Sequence, residues 1–550
     1  MTAPRGAGPA RLRHDSLTKL AHALLIPPFP GTEAPPWVRA ALARGLAGVT
    51  LFSPNISGPG QLAELIAKLR MAAAAGGSAG SSPPASTAEP IIAIDEEGGD
   101  VTRIAHLTGS PYPGNAALGV VDDPALTRSV YHALGLDLAG LGVNLNLAPS
   151  ADVNTQAGNP VIGTRSFGAD PDLVARHVAE AVAGLQAAGV AACAKHFPGH
   201  GSTSVDSHHA IAEVSGSLEV ITRRDLPPFT AAIKAGVRAI MPGHLRIRGL
   251  TGGLPASLSA AALTGLLRGD LGFRGVIVCD ALEMRAVSEA FGLAEAAVRA
   301  VAAGTDLLCF GRDTGRAGYH QVRAALVTAV RDGRLPAARL EEAAARVAEL
   351  IAWIGAQRAA TEYRDAAGDG QDPGSAQRAR IGLAAAQRAL RLTGTPPPMA
   401  GAVLVELVPS ANIAVGVVPW GLSAFVPPER AHQISVTADP PAAVPLIAPD
   451  SAAAQVDMVL GAAAGSPLLI VVRDAHRHPA AQHAIGRLRA ARPDAVVVEM
   501  GLPAWQPATP DHSPAGAYLA TFGATRASGR AAAELLGLME EVSAGGADRP

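Results

Sequence analysis

The sequence predicts an α/β protein in which a TIM-like (β/α)8 barrel, residues 1–357, is followed by a smaller α/β sandwich domain. Three observations indicate this fold class. Short apolar runs alternate with amphipathic helical patterns from about residue 20 to residue 355. The runs number eight, which is the number of strands that a closed barrel needs. Polar and ionisable residues also gather where the runs end, and the chain of 550 residues exceeds the length of one typical domain.

The eight apolar runs are the candidate barrel strands. They cover residues 23–26, 48–52, 91–94, 143–147, 191–194, 239–241, 276–279 and 306–310. Helical patterns lie between them; in residues 172–188, for example, Val174, Val178, Val182 and Leu185 recur on one helical face. An open, doubly wound parallel sheet is the alternative, because it also places its ligands at the carboxyl ends of its strands.

The second part of the chain has a different composition. Residues 358–400 combine a Gly-, Asp- and Pro-rich stretch with a helical pattern and three consecutive prolines, so we predict an interdomain connection there. Residues 401–550 contain further apolar runs, GAVLVEL, SPLLIVVR and DAVVVEMG, and no phosphate-binding fingerprint of the GxGxxG or GxxxxGKS kind. The run RDAHRH at 473–478 follows one of these strands; it could face a ligand or the first domain, but such runs are more often solvated loops.

Charge and cysteine content restrict the function classes. Lys and Arg number 45 against 47 Asp and Glu, so the chain has no basic field that would attract nucleic acid or an anionic membrane. A small, neutral or modestly charged substrate fits this balance. Cys193, Cys279 and Cys309 each lie inside an apolar run, as buried free thiols in a reducing compartment do. The sequence shows no long apolar segment and no N-terminal apolar stretch of a signal peptide, so we expect a cytoplasmic protein.

Ionisable residues at the predicted strand ends form the candidate site. Lys195 and His196 follow the fifth run and begin the segment KHFPGHG, and Asp206 and His208 come shortly after it. Because Asp206 and His208 are two residues apart, an extended loop would place both side chains on one side, where the carboxylate can orient the imidazole as an acid/base. Asp280 follows the seventh run and is predicted to act as a nucleophile or base, or alternatively to cap the next helix.

Four segments together resemble family 3 glycoside hydrolases, and more narrowly the bacterial β-N-acetylglucosaminidase branch in its two-domain form. They are IDEEGGDVTR at 94–103, NPVIGTRSFG at 159–168, KHFPGHG with DSH at 195–208, and VIVCDALEM at 276–284. The resemblance implies that Asp280 is a nucleophile, which forms a glycosyl-enzyme and gives net retention. It further implies that His208, polarised by Asp206, is the acid/base, and that the sugar hydroxyls are bound by Asp95, Arg103, Arg165, Lys195 and His196.

The resemblance implies neither metal nor cofactor, and as substrates N-acetylglucosaminides such as muropeptide or chitooligosaccharide fragments. This chain departs from the pattern at Ser202, where many relatives have Asp, and at Cys279, where they have Ser. A neutral imidazole acid/base also repels phosphate less than a carboxylate would, so phosphorolysis is an alternative outcome.

Two other function classes remain as alternatives. The i, i+4 spacing of His196 and His200 is that of helix-borne zinc ligands, as in a metal-dependent barrel hydrolase, but Pro198 and Gly199 disfavour a helix there. A non-catalytic sugar-binding protein would keep the hydroxyl-binding residues without needing Asp280 or the Asp206–His208 pair.

Overall fold

The computed structural model describes residues 14–78, 89–205, 211–214, 216–367, 374–410, 413–436, 449–507 and 516–539. The strands of the first part are β1 Leu25–Ile26, β2 Gly48–Leu51, β3 Ile91–Ile94, β4 Leu145–Asn146, β5 Ala191–Phe197, β6 Ala212–Val214, β7 Ala239–Pro242, β8 Leu245–Ile247, β9 Val276–Ile277 and β10 Leu308–Cys309. The helices of this part are α1 His14–His22, α2 Pro36–Leu42, α3 Pro59–Ala74, α4 Asn115–Val121, α5 Pro124–Leu141, α6 Pro171–Ala187, α7 Leu218–Arg224, α8 Leu226–Lys234, α9 Arg285–Ala303, α10 Gly315–Arg331 and α11 Ala337–Ala367. A ten-residue π-helical segment, Ala261–Asp270, precedes β9.

Eight of the described strands form a closed parallel barrel. Six of them run in the order β2-β3-β4-β5-β7-β9, and β1 pairs with β10. A bridge between Val278 and Leu307 joins β9 to β10, and the N–H of Ala47 donates to the carbonyl of His22 (3.1 Å) where β1 and β2 adjoin. Since the order of strands returns to its start, the predicted barrel is confirmed and the open sheet is excluded.

Burial on both faces explains why the barrel strands read as continuous apolar runs. The residues of β2, β3 and β5 are all buried, because one face packs inside the barrel and the other under the surrounding helices. The helices begin where the sequence supplies caps. Asp123 and Asp170 each accept a hydrogen bond from an N–H in the first turn of α5 and α6, and a proline follows each of them at the first helical position.

The second domain is built on a parallel sheet with one antiparallel edge. Its strands are β11 Arg391–Thr393, β12 Val403–Val408, β13 Ala431–Ser435, β14 Leu468–Val472, β15 Val496–Glu499 and β16 Tyr518–Ala520, and its helices include α13 Pro449–Ala462, α14 Pro479–Ala491 and α15 Arg526–Leu535. The strands lie in the order β11-β16-β15-β14-β12-β13, with β11 antiparallel to β16. Separate apolar clusters cover the two faces of this sheet, so it is the central layer of an α/β sandwich, as the fold class predicts.

The described parts of the predicted connection, 358–367 and 374–400, contain regular secondary structure. Within 358–400, the chain completes α11, forms α12 Gly374–Ala389 and then adds β11 to the second sheet. Arg378 of α12 pairs with Asp137 of α5 (2.6 Å), so the connection is fastened to the barrel. In the described part of the chain, no helix combines the length and apolar character needed to cross a membrane.

Candidate active site

A cavity of about 570 Å³ opens at the C-terminal ends of the barrel strands, where barrel proteins hold their ligands. Of the eight predicted site residues, six line it: Asp95, Arg103, Arg165, Lys195, His196 and Asp280. They come from loops and strand ends that are far apart in sequence. Asp206 and His208, the predicted acid/base pair, lie outside the described residues.

A cluster of buried charges forms one wall of this cavity. Lys195 Nζ donates to Asp95 Oδ1 (2.7 Å) and lies 2.9 Å from Glu97 Oε1. Arg165 holds the same carboxylate in a bidentate pair, from Nη2 to Glu97 Oε1 (2.7 Å) and from Nε to Glu97 Oε2 (2.9 Å). The side chains of Lys195, Arg165 and Glu97 are at most 6 % exposed. This bidentate pair holds the Arg165 guanidinium in one orientation, so the direction of its N–H groups is fixed.

The pKa values of these groups keep the cluster charged. Burial alone would raise the pKa of Glu97, but the Arg165 and Lys195 cations hold it well below the ordinary range of a carboxyl group. Burial alone would likewise lower the pKa of Lys195, and the Asp95 and Glu97 carboxylates raise it above the ordinary lysine value instead. Glu97 and Lys195 are therefore both charged although their side chains are almost fully buried.

Asp152, which is fully buried, contacts the ring of His196 and the backbone of His200. His196 Nδ1 lies 2.8 Å from Asp152 Oδ2, and the backbone N–H of His200 donates to Asp152 Oδ1 (2.7 Å). Burial would raise the pKa of Asp152, yet the His196 ring and the other histidine lower it below the usual value. An ionised Asp152 places the Nδ1 proton of His196 toward itself, so Nε2 faces Arg165 Nη2 at 3.4 Å.

Asp280 shares the cavity lining with a second acidic residue and is not a helix cap. Its Oδ1 accepts the N–H of Ala281 (2.8 Å), while α9 begins at Arg285 with Met284 in the capping position. Glu283 also lines the cavity, and burial raises its pKa above the usual value. Cys279 points to the barrel wall, where its Sγ accepts the N–H of Cys309 (3.1 Å). Asp280 is therefore presented to the cavity from β9 while Cys279 serves packing.

Arg103 reaches the second domain. Its Nη2 donates to the carbonyl of Ala414 (2.9 Å) and its Nη1 to the carbonyl of Val415 (3.4 Å). These residues belong to segment 413–417, which lines the cavity together with the barrel residues. Glu96, whose pKa burial raises to about 7, accepts the N–H of Arg103 (2.8 Å) and so fixes the loop from which Arg103 extends. Both domains thus contribute to the wall of the site.

The run 473–478 faces the barrel, so its interpretation as a solvated loop was wrong. Arg473 Nη2 donates to Asp100 Oδ2 (3.0 Å), and the other oxygen of Asp100 accepts the N–H of Ala524 (2.8 Å). His476 Nε2 lies 2.9 Å from the carbonyl of Ala157, and Arg477 donates to the carbonyl of Pro160 (3.3 Å). These contacts fasten the barrel loop that continues to Arg165.

Ser202, which departs from the pattern of the relatives, has a cationic partner. Its hydroxyl accepts a hydrogen bond from Arg224 Nη2 (2.8 Å), and Arg224 pairs with Asp225 (2.8 Å). Burial raises the pKa of Asp225 to about 6, against the opposing effect of Arg224. Ser202, which lies just before the predicted acid/base residues in sequence, is therefore connected to α7.

Glu97 and Asp152 are the carboxylates at the site that sequence reasoning missed. Both were visible as carboxylates just beyond predicted strands, in DEEGG after β3 and in PSADVN after β4. Their place in the site could not be predicted, because the partner of Glu97, Arg165, and the partner of Asp152, His196, lie on other segments of the chain. Among the described residues, no group of three or more His, Cys, Asp or Glu side chains is arranged to hold a metal ion.

Comparison with known proteins gives one consistent result. The protein-family model described as Glycosyl hydrolase family 3 N terminal domain matches residues 37–350 of the sequence. Beta-hexosaminidase A of Pseudoalteromonas piscicida is 33% identical over 339 residues, which cover 58% of this chain and 55% of that protein. Beta-hexosaminidase LpqI of Mycobacterium tuberculosis is 35% identical over 264 residues, 47% of this chain and 67% of that protein.

These matches span between about half and two thirds of the curated relatives' own lengths. A similar solved structure is a glycoside hydrolase family 3 β-N-acetylglucosaminidase from Paenibacillus sp., with a TM-score of 0.77 and 30% identity. That match covers 95% of this chain and 97% of the other, so the resemblance includes the second domain.

Proposed function

The chain belongs to glycosyl hydrolase family 3, and we propose that it is an exo-acting, retaining β-N-acetylglucosaminidase. The observation that carries the proposal is the convergence of Asp95, Arg165, Lys195, His196 and Asp280 on one cavity. A carboxylate and a set of ion-paired polar groups that can bind hydroxyls line the same cavity, as hydrolysis of a terminal sugar requires. The names of the similar β-hexosaminidases support the same activity.

In the proposed mechanism, Asp95, Lys195 and Arg165 hold the terminal N-acetylglucosamine ring. Glu97 fixes the positions of Lys195 and Arg165. Asp280 attacks the anomeric carbon and forms a covalent ester while the bond to the leaving oxygen breaks. His208 gives its proton to that oxygen, and Asp206 stabilises the resulting charge changes on the imidazole. His208 then takes a proton from water, which attacks the anomeric carbon and releases Asp280, so the configuration is retained.

Replacement of the nucleophile tests the proposal. Asp280→Asn should lower kcat for an aryl β-N-acetylglucosaminide by roughly 10⁴-fold or more, because the amide cannot form the glycosyl-enzyme. Asp332→Asn, an equivalent change at an exposed position after α10, is the control and should retain wild-type turnover. A turnover of Asp280→Asn within tenfold of the wild-type value would refute the nucleophile assignment.

The acid/base assignment has its own test. His208→Ala should slow substrates with basic leaving groups far more than activated aryl ones, because only basic leaving groups need protonation to depart. Equal losses on both kinds of substrate would contradict the role of His208. A β-N-acetylglucosaminide phosphorylase is the second candidate function, since a neutral imidazole admits phosphate; a sugar 1-phosphate in ³¹P NMR spectra of assays with phosphate would establish it.

We propose small carbohydrates as substrates, either muropeptide fragments or chitooligosaccharides, and a cytoplasmic location. The location is supported by three buried cysteines that all remain free thiols, although Cys279 and Cys309 are in contact. Kinetics with both substrate classes and fractionation of cells that express the protein test these two points.

A further inference from the structure

A second cavity, of about 500 Å³, lies between the two domains. It is lined by the ends of β12 and β14, by the barrel loop 160–165 and by segment 413–417. Residues 413 and 415–417 and Arg165 belong to the lining of both cavities, so the second adjoins the first. Asp280 and Glu283 line only the first cavity among the lining residues that the structure describes. The second cavity therefore adjoins the first at Arg165, away from Asp280, the proposed nucleophile.

The topology of the second sheet marks this crevice as a place for a ligand. β12 lies between β13 and β14, so the chain passes to one side of β12 and then returns to the other. Open parallel sheets bind ligands at such a switch point, outside the carboxyl ends of the strands. The second cavity is at this place, because Val408 ends β12, residues 409–410 follow it, and Arg473 and Asp474 follow β14.

The charges in the crevice favour an anion. Arg473 and Arg477 line it against a single carboxylate, Asp474, in the described lining outside the Arg165 pair. His478, whose pKa burial lowers, adds a neutral imidazole that can donate one hydrogen bond. Arg473 is paired with Asp100 of the barrel. Arg477 donates to a backbone carbonyl, and its nearest described carboxylate, that of Asp474, is 4.0 Å away. A guanidinium has five N–H donors, so Arg477 retains donors for an oxyanion.

Two apolar side chains beside these cations suit a ring. Trp420 is half-buried in the crevice, and Val417 of the shared segment is 88 % exposed. Aromatic faces next to polar groups are typical of sites that bind a sugar ring, and the volume is within the range of small-molecule pockets. We propose that this crevice is a second ligand site, which binds a small anionic sugar through Arg477 and His478 with the ring against Trp420.

Calorimetric titration of the full-length wild-type protein tests the site. The probes are glucose 6-phosphate, glucuronic acid, inorganic phosphate and glucose, each with N-acetylglucosamine present at saturation to occupy the first cavity. We expect saturable binding of the two anionic sugars and none of glucose. Arg477→Gln should weaken their binding about tenfold or more, because a charge-assisted contact is lost. Arg487→Gln, at an arginine of α14 paired with Asp457, is the matched control and should bind like the wild type.

A second variant keeps the test independent of the folding of Arg477→Gln. Trp420→Phe should weaken both anionic sugars while leaving any binding of inorganic phosphate unchanged. The proposal is overturned if neither sugar binds, if Arg477→Gln binds as tightly as Arg487→Gln, or if N-acetylglucosamine displaces the sugars. Inorganic phosphate binding as tightly as glucose 6-phosphate would overturn the assignment of a sugar. The experiment measures binding and not catalysis, so a failure of the second-site proposal can be distinguished from a failure of the proposed hydrolase activity.

Discussion

Glu97→Gln should destabilise the barrel strongly, although the two side chains have the same shape. The carboxylate makes three contacts of 2.7–2.9 Å to Arg165 and Lys195. Each of the two cation–carboxylate pairs contributes about 4 kcal/mol at an effective dielectric constant of about 20. The glutamine is uncharged and costs less to bury than the carboxylate, which offsets about half of the summed contribution of the two pairs. Two buried cations are left with Asp95 alone, so we expect a net loss of about 3–5 kcal/mol in the free energy of unfolding.

Urea unfolding at pH 7, followed through the transition that belongs to the barrel, measures the loss. Glu289→Gln is the matched control, because Glu289 pairs with Arg285 at 2.7 Å while both side chains are at least 60 % exposed. That exposed pair should contribute less than about 1 kcal/mol. If Glu97→Gln costs no more than Glu289→Gln, the buried cluster does not stabilise the fold and the reasoning fails.

The pH dependence gives a second check on Glu97. Its pKa is lower in the folded protein than the ordinary value of 4.5, so its contribution is complete above pH 4.5. The contribution is lost as the pH falls below 4.5 toward the folded pKa, because the unfolded chain takes up the proton first. The difference in unfolding free energy between wild type and Glu97→Gln should therefore be constant from pH 7 to about pH 5 and shrink below that.

Two further predictions concern the domain contact and acid stability. Arg103→Gln should expose segment 413–417 to proteolysis and raise KM, since a glutamine cannot reach both carbonyls. Arg299→Gln, at an exposed arginine of α9 that does not line the cavity, is the control and should change neither. Burial lowers the pKa of His200 to about 4, so protonation of the unfolded chain should remove up to about 3 kcal/mol of stability as the pH falls from 6.5 to 4. Urea midpoints across this range should fall less steeply for His200→Gln than for His483→Gln, and equal slopes would refute the assignment.

The barrel was predictable because its signal is local. Strands that are buried on both faces must be apolar throughout, so runs such as 91–94 and 191–194 stand out without knowledge of their neighbours. The same argument predicts that polar residues at the strand ends approach one another, and the structure brings Asp95, Lys195 and Asp280 to one cavity. The roles of these residues in the reaction stay predictions.

The contacts between domains were not predictable in this way. Arg103 and Ala414 are separated by 311 positions in the sequence. No local sequence pattern predicts that the guanidinium of one will donate to the backbone carbonyl of the other. The run 473–478 had the composition of a solvated loop, and only the docking of the sandwich on the barrel gives its cations the partners Asp100 and Pro160. Sequence periodicity describes one element at a time, whereas these contacts depend on the positions of two domains.

The segment from Asp95 to Arg103 shows why the two domains and the catalytic cavity belong to one arrangement. Asp95 holds Lys195 inside the cavity, Glu97 holds Arg165, and Glu96 accepts the N–H of Arg103 within its own loop. Asp100 and Arg103 of the same segment bind the sandwich domain. Because this nine-residue segment contacts both Lys195 and Arg165 of the cavity and the second domain, we expect a shift of the sandwich to change the geometry of the cavity. The second domain is therefore a structural part of the site.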